Sequence, residues 1–294
     1  MIKVITVIGL IALFVSCDEN EIILDKTRLV SYTREGSSPF IVLYNSNNQP
    51  IKIGNSITYN ANNQIIEFGS FTYGYTQSKI SSITDTPNSI HSFNEAQVTY
   101  NAQGKIDKEV VTFTNASTNI TKTFTRDYSY DSNGYISQIL EDREELGGFN
   151  SLVKYEIAYY ADGKIDDIVR SRSLNNGNTY LEEEVLTHFY DDKINPFYTL
   201  LQETTQDIGH NTFLQYVGFP TISLGYSSNI KLHHYAQNNL IRVEKSVFGN
   251  SPTIIASYTY TYNQDDYPLT AIKTITQQSG STYTEDYAWS YEDY

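Results

Sequence analysis

Apolar and polar residues alternate along most of the chain with the two-residue period of a β-strand. In the stretch that ends at Tyr130, Phe124, Tyr128 and Tyr130 share one face, and the other face carries Thr, Asp and Ser. The same alternation occupies residues 153–159 and 254–262. A sheet with one buried and one polar face gives this pattern, and such sheets are usually antiparallel. The pattern therefore predicts long antiparallel strands.

A tyrosine recurs where these strands end, and it begins a repeated unit. A Gly, Asn or Asp follows four residues later, and an Ile or Leu follows six or seven residues later. The seven units begin at Tyr44, Tyr59, Tyr100, Tyr130, Tyr159, Tyr235 and Tyr262. The fourth residue is always of a type that tolerates a positive φ, as a short hairpin loop requires. The predicted turn residues are Asn48, Asn63, Gly104, Gly134, Gly163, Asn239 and Asp266.

An eighth unit begins at Tyr190 but departs from the pattern. It keeps the Tyr-Asp opening and then continues as Asn195-Pro196-Phe197. Apolar residues cluster for two turns after the proline, which predicts one helix over about Phe197 to Thr205. We interpret the long gap before the next unit as an insertion at residues 195–234, where family-specific features are expected.

The strands that leave the turns break the two-residue period. Apolar residues there lie three apart, which would place them on opposite faces of a flat strand. A β-bulge adds one residue and returns such a pair to the same face. Bulges are therefore predicted for the pairs Ile65/Phe68, Ile80/Ile83, Ile136/Ile139, Ile165/Ile168 and Leu269/Ile272.

The spacing of the units gives the fold class. Tyr100 and Tyr130 are 30 residues apart, which accommodates two strands per unit. The second turns fall in the polar stretches 115–119, 144–150 and 175–178. We predict an all-β protein: an antiparallel meander of repeated long β-hairpins that forms a curled or rolled sheet, with the Tyr and Ile face as its core.

Composition supports this interpretation and excludes several functions. The chain has 26 Tyr and 13 Phe but one Met and one Trp, which is typical of β-sheet proteins. Its formal net charge of −14 disfavours nucleic acid as a partner, because phosphate backbones attract basic proteins. The single cysteine excludes an internal disulfide, and the position of Cys17 argues against a thiolate metal site or a cysteine nucleophile.

The N-terminus predicts an exported, lipid-anchored protein. Residues 1–16 combine Lys3, an apolar run from Val4 to Val15, and the small residue Ser16, which is the composition of a signal peptide. Because Cys17 follows directly, the stretch resembles the lipobox of bacterial lipoproteins. That resemblance implies that the thiol of Cys17 is alkylated by diacylglycerol and becomes the new N-terminus.

An acidic segment follows the cysteine. Asp18, Glu19 and Glu21 resemble the surface-export signal of Bacteroidota lipoproteins, although a solvated tether explains the same residues. We interpret residues 17–27 as the tether and residues 28–294 as the β domain. Ten residues from Cys17 to Thr27 span at most about 35 Å, so the domain is expected to lie close to the outer membrane, on the cell surface or on the periplasmic face.

Three of the turn sequences also resemble a known family. YNAQGKI, YDSNGYI and YYADGKI, which begin at Tyr100, Tyr130 and Tyr159, are similar to YD (Rhs-type) repeats. YDDKINPF and YNQDDYPL are similar to motifs in uncharacterised Bacteroidota lipoproteins built from such repeats. The resemblance covers about residues 40–275 and implies a fold of repeated β-hairpins. It implies no activity, and no functional residue is carried over from it.

Candidate metal and catalytic residues are few and scattered. The five histidines are His91, His188, His210, His233 and His234, and neither HxH nor HExxH spacing occurs, so no metal site and no cofactor are expected. Asp131 to Gly134 resembles part of a calcium loop, but hairpin-turn chemistry explains these residues as well. The carboxylate runs at 141–145 and 182–184 are interpreted as solvated strand edges.

Strand faces that are rich in tyrosine are compatible with two roles, packing in the core and binding a ligand at the surface. We interpret Tyr258, Tyr260 and Tyr262 as core. Tyr287, Trp289 and Tyr291 share one face near the acidic C-terminus and are candidates for an exposed binding surface, with an aromatic plug that closes the end of the roll as the alternative.

These observations favour a non-catalytic, surface-exposed outer-membrane lipoprotein that binds or scaffolds a protein or glycan partner. Two alternatives are a periplasm-facing accessory lipoprotein of an outer-membrane machine and, less favoured, a glycan-active enzyme. An enzyme of that class would need two carboxyl groups at a defined separation across a cleft.

Overall fold

The computed structural model describes residues 27–85, 93–114, 121–144, 150–173, 175–204, 236–277 and 279–294. The strands are β1 Thr27–Arg34, β2 Phe40–Tyr44, β3 Pro50–Ile53, β4 Asn55–Tyr59, β5 Ile65–Phe68, β6 Phe71–Thr76, β7 Lys79–Asp85, β8 Phe93–Tyr100, β9 Ile106–Thr114, β10 Thr121–Tyr130, β11 Ile136–Glu144, β12 Asn150–Tyr159, β13 Ile165–Ser173, β14 Leu181–Ile194, β15 Asn238–Val247, β16 Thr253–Tyr262, β17 Pro268–Thr276 and β18 Thr282–Asp293. Helix α1, Pro196–Thr204, lies between β14 and β15. Within the described ranges, no helix is both long enough and apolar enough to cross a bilayer.

The strands form one antiparallel meander of 18 strands. Each pairs with the strands before and after it in the chain, and β1 also pairs with β18, from Thr27 opposite Asp293 to Arg34 opposite Tyr287. The sheet therefore curls into a barrel-like ring. The predicted fold class is confirmed, and α1 confirms the helix predicted after Pro196.

The turns that follow six of the repeated tyrosines, and the turn after Tyr75, which the repeat pattern did not include, all lie at one end of this ring, which we call the tyrosine rim. Its seven described turns join Tyr44 to Pro50, Tyr59 to Ile65, Tyr75 to Ile80, Tyr100 to Ile106, Tyr130 to Ile136, Tyr159 to Ile165 and Tyr262 to Pro268. Because β1 is antiparallel to β2, Thr27 at the start of β1 lies at the rim where β2 ends. Residue 27 therefore enters the fold at the same end as these turns.

The interior of the ring holds two apolar clusters. One lies between the shorter strands β1–β7 and strands β17 and β18, and α1 completes it with Phe197, Leu200 and Leu201. The other lies among β8–β16 and is filled by the inward-facing Ile, Val and Tyr side chains of the long strands, such as Ile139 and Tyr155. The Tyr and Ile face is thus the core, as the alternation predicts.

The outward face of the long strand β10 is polar. On β10 the exposed positions are Thr121, Thr123, Asp127 and Ser129, and they alternate with residues that are buried or half-buried. Burial of one face only explains why the two-residue period is visible in the sequence.

Bulges follow the rim turns and explain the broken period. At the turn after β10, Ser129 lies opposite Gln138 and Tyr130 opposite Ile136, so β11 carries one extra residue. Both members of four predicted pairs are consequently buried: Ile65/Phe68, Ile80/Ile83, Ile136/Ile139 and Ile165/Ile168.

The fifth predicted pair is wrong. Leu269 and Ile272 are both exposed, because Pro268 occupies the buried position after the turn and Ala271 the one three residues later. The unit that begins at Tyr44 behaves in the same way, with Pro50 buried and Ile51 exposed.

One carboxylate of the predicted solvated edges is buried instead. Glu141 accepts a hydrogen bond from Nε of Arg126 at 2.6 Å, and the same guanidinium lies 3.1 Å from Glu109. The Tyr128 hydroxyl also donates to Glu109, at 2.9 Å. All three charged side chains are in the ring interior, so the solvated interpretation of Glu141 is wrong. A buried carboxylate is tolerated there because a cation and hydrogen-bond donors accompany it.

Candidate binding pocket at the tyrosine rim

Six tyrosines at the rim are bonded to the part of the rim that precedes them. The hydroxyl of each donates to a backbone carbonyl, which for all but Tyr44 belongs to the residue that leaves the preceding rim turn; Tyr44 donates to Leu29 of β1. Neighbouring hairpins are thereby linked at the rim, and we call this set of bonds the tyrosine ladder. The pairs at 2.6–2.9 Å are Tyr44 with Leu29, Tyr59 with Pro50, Tyr75 with Ile65, Tyr100 with Ile80, Tyr130 with Ile106 and Tyr159 with Ile136. Burial raises the pKa of Tyr130 to about 12, so the hydroxyl remains a donor at neutral pH.

The turn beside each tyrosine is held by its first residue. In the turn after Tyr100, the Asn101 side-chain carbonyl accepts from the backbone N–H groups of Gln103 and Lys105, both at 3.0 Å. Asp131 does the same after Tyr130, which is why it belongs to turn chemistry. The predicted turn residues with positive φ are Asn48 (60°), Asn63 (59°), Gly104 (74°), Gly134 (89°), Gly163 (86°) and Asp266 (65°).

Asn239 is the exception, and the prediction for it is wrong. It lies inside β15, is buried, and does not have a positive φ. Its unit was taken to begin at Tyr235, which is outside the described residues. The Asn239 amide nitrogen instead donates to Asp191 and to the backbone carbonyl of Ile194, at 3.3 and 3.0 Å.

The unit that begins at Tyr190 interrupts the ladder. The Tyr190 hydroxyl is buried and makes no hydrogen bond with any described residue. The neighbouring Asp191 side chain instead joins three parts of the chain by hydrogen bonds. It accepts from the backbone N–H of Lys193 at 3.0 Å, from the backbone N–H of Asn239 at 2.9 Å and from the Tyr262 hydroxyl. The chain then turns inward as α1.

The sequence Asn195-Pro196-Phe197 explains why a helix begins there. The Asn195 side-chain carbonyl accepts from the backbone N–H of Phe197 at 3.1 Å, which caps the first turn. Pro196 is the first helical residue, a position where its missing N–H and fixed φ are favourable. Phe197 is then buried against Tyr32, with ring centroids 5.2 Å apart.

A cavity of about 730 Å³ lies at the rim next to this interruption. Residues of the turn after β12, together with parts of β14, β15 and β16, form its wall. The lining residues are Tyr160, Ala161, Asp162, Lys164, Phe189, Tyr190, Ile241, Arg242, Ser257 and Tyr258.

Two cations lie over aromatic rings of this lining. The Lys164 ammonium is 5.7 Å from the Tyr190 ring centroid and forms an ion pair with Asp162 at 2.8 Å. It also donates to the side-chain carbonyl of Asn238 at 3.1 Å. The Arg242 guanidinium stacks on Phe189 at 3.9 Å from the ring centroid. Cation–π contacts of this kind hold a charged side chain against an apolar wall.

The environment shifts the pKa values of one carboxylate and two tyrosines of the pocket. Lys164 lowers the pKa of Asp162, chiefly by a hydrogen bond to the charged carboxylate. Burial and the hydrogen bond with Asp166 raise the pKa of Tyr160 to about 12, and burial raises the pKa of Tyr190 further. At neutral pH Tyr160 and Tyr190 are therefore protonated and Asp162 is ionised.

The predicted aromatic binding surface does not exist as an exposed patch. Tyr287 is 3% exposed and Trp289 is 5% exposed, and both belong to the core cluster around α1. Tyr291 is half-buried beside them, and its hydroxyl donates to the Pro268 carbonyl at 2.7 Å. The expectation of exposure is therefore wrong. Tyr258 is also buried in the core, as predicted, although one part of it lines the cavity.

The remaining site predictions fall partly outside the described residues. Cys17, His91, His210, His233, His234 and residues 205–234 of the predicted insertion lie there. His188 is fully buried, its Nδ1 lies 3.2 Å from the Asp166 carbonyl, and burial lowers its pKa to about 4. In the part of the chain that the structure describes, no group of three or more His, Cys, Asp or Glu residues is arranged to hold a metal.

Comparison with known proteins supports the fold. No family model and no curated protein matches this sequence. The crystal structure of a porin-like protein from Bacteroides vulgatus is similar, with a TM-score of 0.50 and 11% identity, and the match covers 91% of this chain and 99% of that one. A porin-like protein from Bacteroides uniformis matches with a TM-score of 0.26 and 11% identity over 70% of this chain and 94% of that one. The first similarity concerns the fold alone, and the second is too weak to support even that.

Proposed function

We propose that this chain is an outer-membrane lipoprotein, anchored through Cys17, that acts by binding a ligand and not by catalysis. The observation that carries the proposal is the rim cavity of about 730 Å³. Ligand sites are typically concave and mostly apolar, with a few polar groups that orient the ligand. Four aromatic rings, two cations and one carboxylate meet that description next to the unit where the ladder is interrupted.

The polarity of the sheet supports attachment by lipid. Lipid-facing sheets present an apolar band to the bilayer, whereas β10 and β18 present Thr, Ser and Asp on their outward faces. A domain of this polarity is held at a membrane by acyl chains, and two or three chains hold far more firmly than one. The similarity in fold to a protein described as porin-like supports an outer-membrane setting for this chain.

We further propose that the chain belongs with the YD-repeat lipoproteins and is displayed on the cell surface. The repeated rim turns support the first point, and the acidic segment after Cys17 supports the second. A periplasm-facing accessory role is the alternative, and it differs only in the side of the membrane on which the domain lies.

Replacing the proposed acylation site tests the anchor. Cys17→Ala should move the protein from the membrane fraction to the soluble fraction, whereas the nearby control Asn20→Ala should leave it in the membrane. Retention of Cys17→Ala in the membrane would contradict the proposal. Protease treatment of intact cells then determines the side: digestion of the wild-type domain supports surface display, and full protection supports the periplasmic alternative.

A further inference from the structure

The two cations in the rim cavity restrict the charge of a ligand. Lys164 and Arg242 already occupy faces of the Tyr190 and Phe189 rings. A cationic ligand, which would seek the same ring faces, would be repelled by both side chains. The cavity therefore favours a neutral or anionic ligand.

Arg242 is the group best placed to contact an anion. Its side chain is 40% exposed, and its Nε lies 3.1 Å from Glu244, close enough for an ion pair but without the geometry of a hydrogen bond. Among the described residues, none forms a hydrogen bond with its two terminal nitrogens. A guanidinium can keep an ion pair on one side and offer its terminal N–H groups to a second, planar carboxylate. A dianion would meet more repulsion from Glu244 and Asp162, so a singly charged carboxylate fits this site better than a phosphate.

The rest of the lining matches a ring with one apolar face and polar edges. Tyr160 and Tyr258 add aromatic surface, and Asp162, Lys164 and Ser257 add hydrogen-bonding groups around it. The C–H face of a pyranose ring stacks on such aromatic surface, while its hydroxyl groups reach the polar side chains. A purely apolar ligand would take the terminal nitrogens of Arg242 out of water without giving them an acceptor, which is unfavourable.

Building on the proposed binding function, we infer that the rim cavity binds a uronic-acid saccharide, with its ring against the aromatic wall and its carboxylate against Arg242. The position of the cavity indicates how such a sugar would be presented. The cavity lies at the tyrosine rim, where Thr27 enters the fold, and Cys17 lies ten residues before Thr27. Thr27 is therefore at most about 35 Å from the proposed anchor, and the rim that holds the cavity is the end of the domain nearer to that anchor.

Binding of matched monosaccharides to the full-length lipoprotein in detergent tests this inference. Isothermal titration should show D-glucuronate binding about tenfold more tightly than D-glucose, the difference that one charge-assisted hydrogen bond provides. Arg242→Gln should abolish this preference. Lys105→Gln, at a regular rim turn, should leave it unchanged. Equal affinities for the two sugars, absence of glucuronate binding, or an unchanged preference in Arg242→Gln would overturn the inference.

Three further readouts separate this inference from the proposed function. If another class of compound binds at the cavity of the Cys17-anchored protein, only the ligand class is wrong. If the protein cleaves a glucuronide, the proposal of binding without catalysis is wrong. Co-sedimentation with vesicles that carry a uronic-acid glycolipid, competed by the free sugar, would support a membrane source, whereas binding of the free oligosaccharide alone would limit the site to soluble chains.

Discussion

The regular unit at Tyr159 and the interrupted unit at Tyr190 begin alike and end differently. Both tyrosines close a long alternating strand, β12 and β14. The Tyr159 hydroxyl donates to the Ile136 carbonyl at 2.8 Å, and a tight turn through Gly163 follows. The Tyr190 hydroxyl has no such partner among the described residues, and α1 follows in place of a turn.

This difference shows what the repeat does and where it leaves room for function. A regular unit uses its tyrosine, its turn residues and, where it has one, its lysine to bind the neighbouring unit; Lys105, for example, donates to the Gly134 carbonyl at 3.0 Å and lies over the Tyr130 ring. At the interrupted unit Lys164 still lies over the Tyr190 ring, but the tyrosine hydrogen bond and the tight turn are missing, and the rim cavity lies beside this break. The regular units link neighbouring hairpins, and the break in the ladder coincides with the pocket.

The largest effect is expected from the helix that follows the interruption. Leu201 is 0% exposed and completes the core between the short strands. Leu201→Ala should lower the free energy of unfolding by about 2–5 kcal/mol, because it removes buried contacts and leaves a cavity. Leu181→Ala, at an exposed leucine of β14, should change it by less than about 0.5 kcal/mol. Urea denaturation measures both, and similar values for the two variants would show that α1 does not support the fold.

An intermediate effect should depend on pH and involve His188, on the strand that enters the interrupted unit. Burial lowers its pKa in the folded state from 6.5 to about 4, against the opposing effect of the Asp166 carbonyl. The unfolded chain therefore binds the proton more readily, and stability that is present above pH 6.5 is lost as the pH falls toward 4. The loss is of the order of 3 kcal/mol.

A variant without the titrating ring isolates this contribution. His188→Gln should be less stable than the wild type at pH 7, and the difference should shrink between pH 6.5 and pH 4. Denaturant midpoints at several pH values measure it. A constant difference across that range would show that His188 does not titrate on unfolding.

The smallest effect compares the two tyrosines directly. Tyr159→Phe should cost about 1 kcal/mol, because it removes a hydrogen bond and leaves the Ile136 carbonyl without that donor. Tyr190→Phe should be neutral or stabilising by up to about 1 kcal/mol, because it removes a buried hydroxyl that has no partner among the described residues. Thermal unfolding of the two variants gives the signs. Equal losses would mean that the ladder is not interrupted at Tyr190.

The local features of the fold were predictable because they depend on neighbouring residues. The period of the strands, the positive φ of Gly134 and the bulge that places Ile136 and Ile139 on one face all follow from short sequence patterns. The pattern failed where a proline follows the turn. It requires Ile or Leu at the buried position and so predicts Leu269, but Pro268 is the buried residue.

Features that depend on distant residues were not predictable. The pairing of β1 with β18 joins the two ends of the domain and has no local signal. Closure of the ring buries Trp289 and Tyr287, which a terminal strand would otherwise expose. The burial of Glu141 likewise depends on Arg126 of the neighbouring strand. The one available signal for the pocket was the departure of the Tyr190 unit from the repeat.

Mapping the bound sugar on the full-length protein tests the central claim that the pocket beside the interrupted unit is the binding site. Backbone amide chemical shifts recorded during titration with D-glucuronate should change around Tyr160 to Lys164, Arg242 and Ser257, which line the pocket. The turns after Tyr100 and Tyr130, which have the same kind of tyrosine and turn as Tyr159 but do not line the pocket, should not change. Equal changes at those two turns, or none around the pocket, would contradict the account.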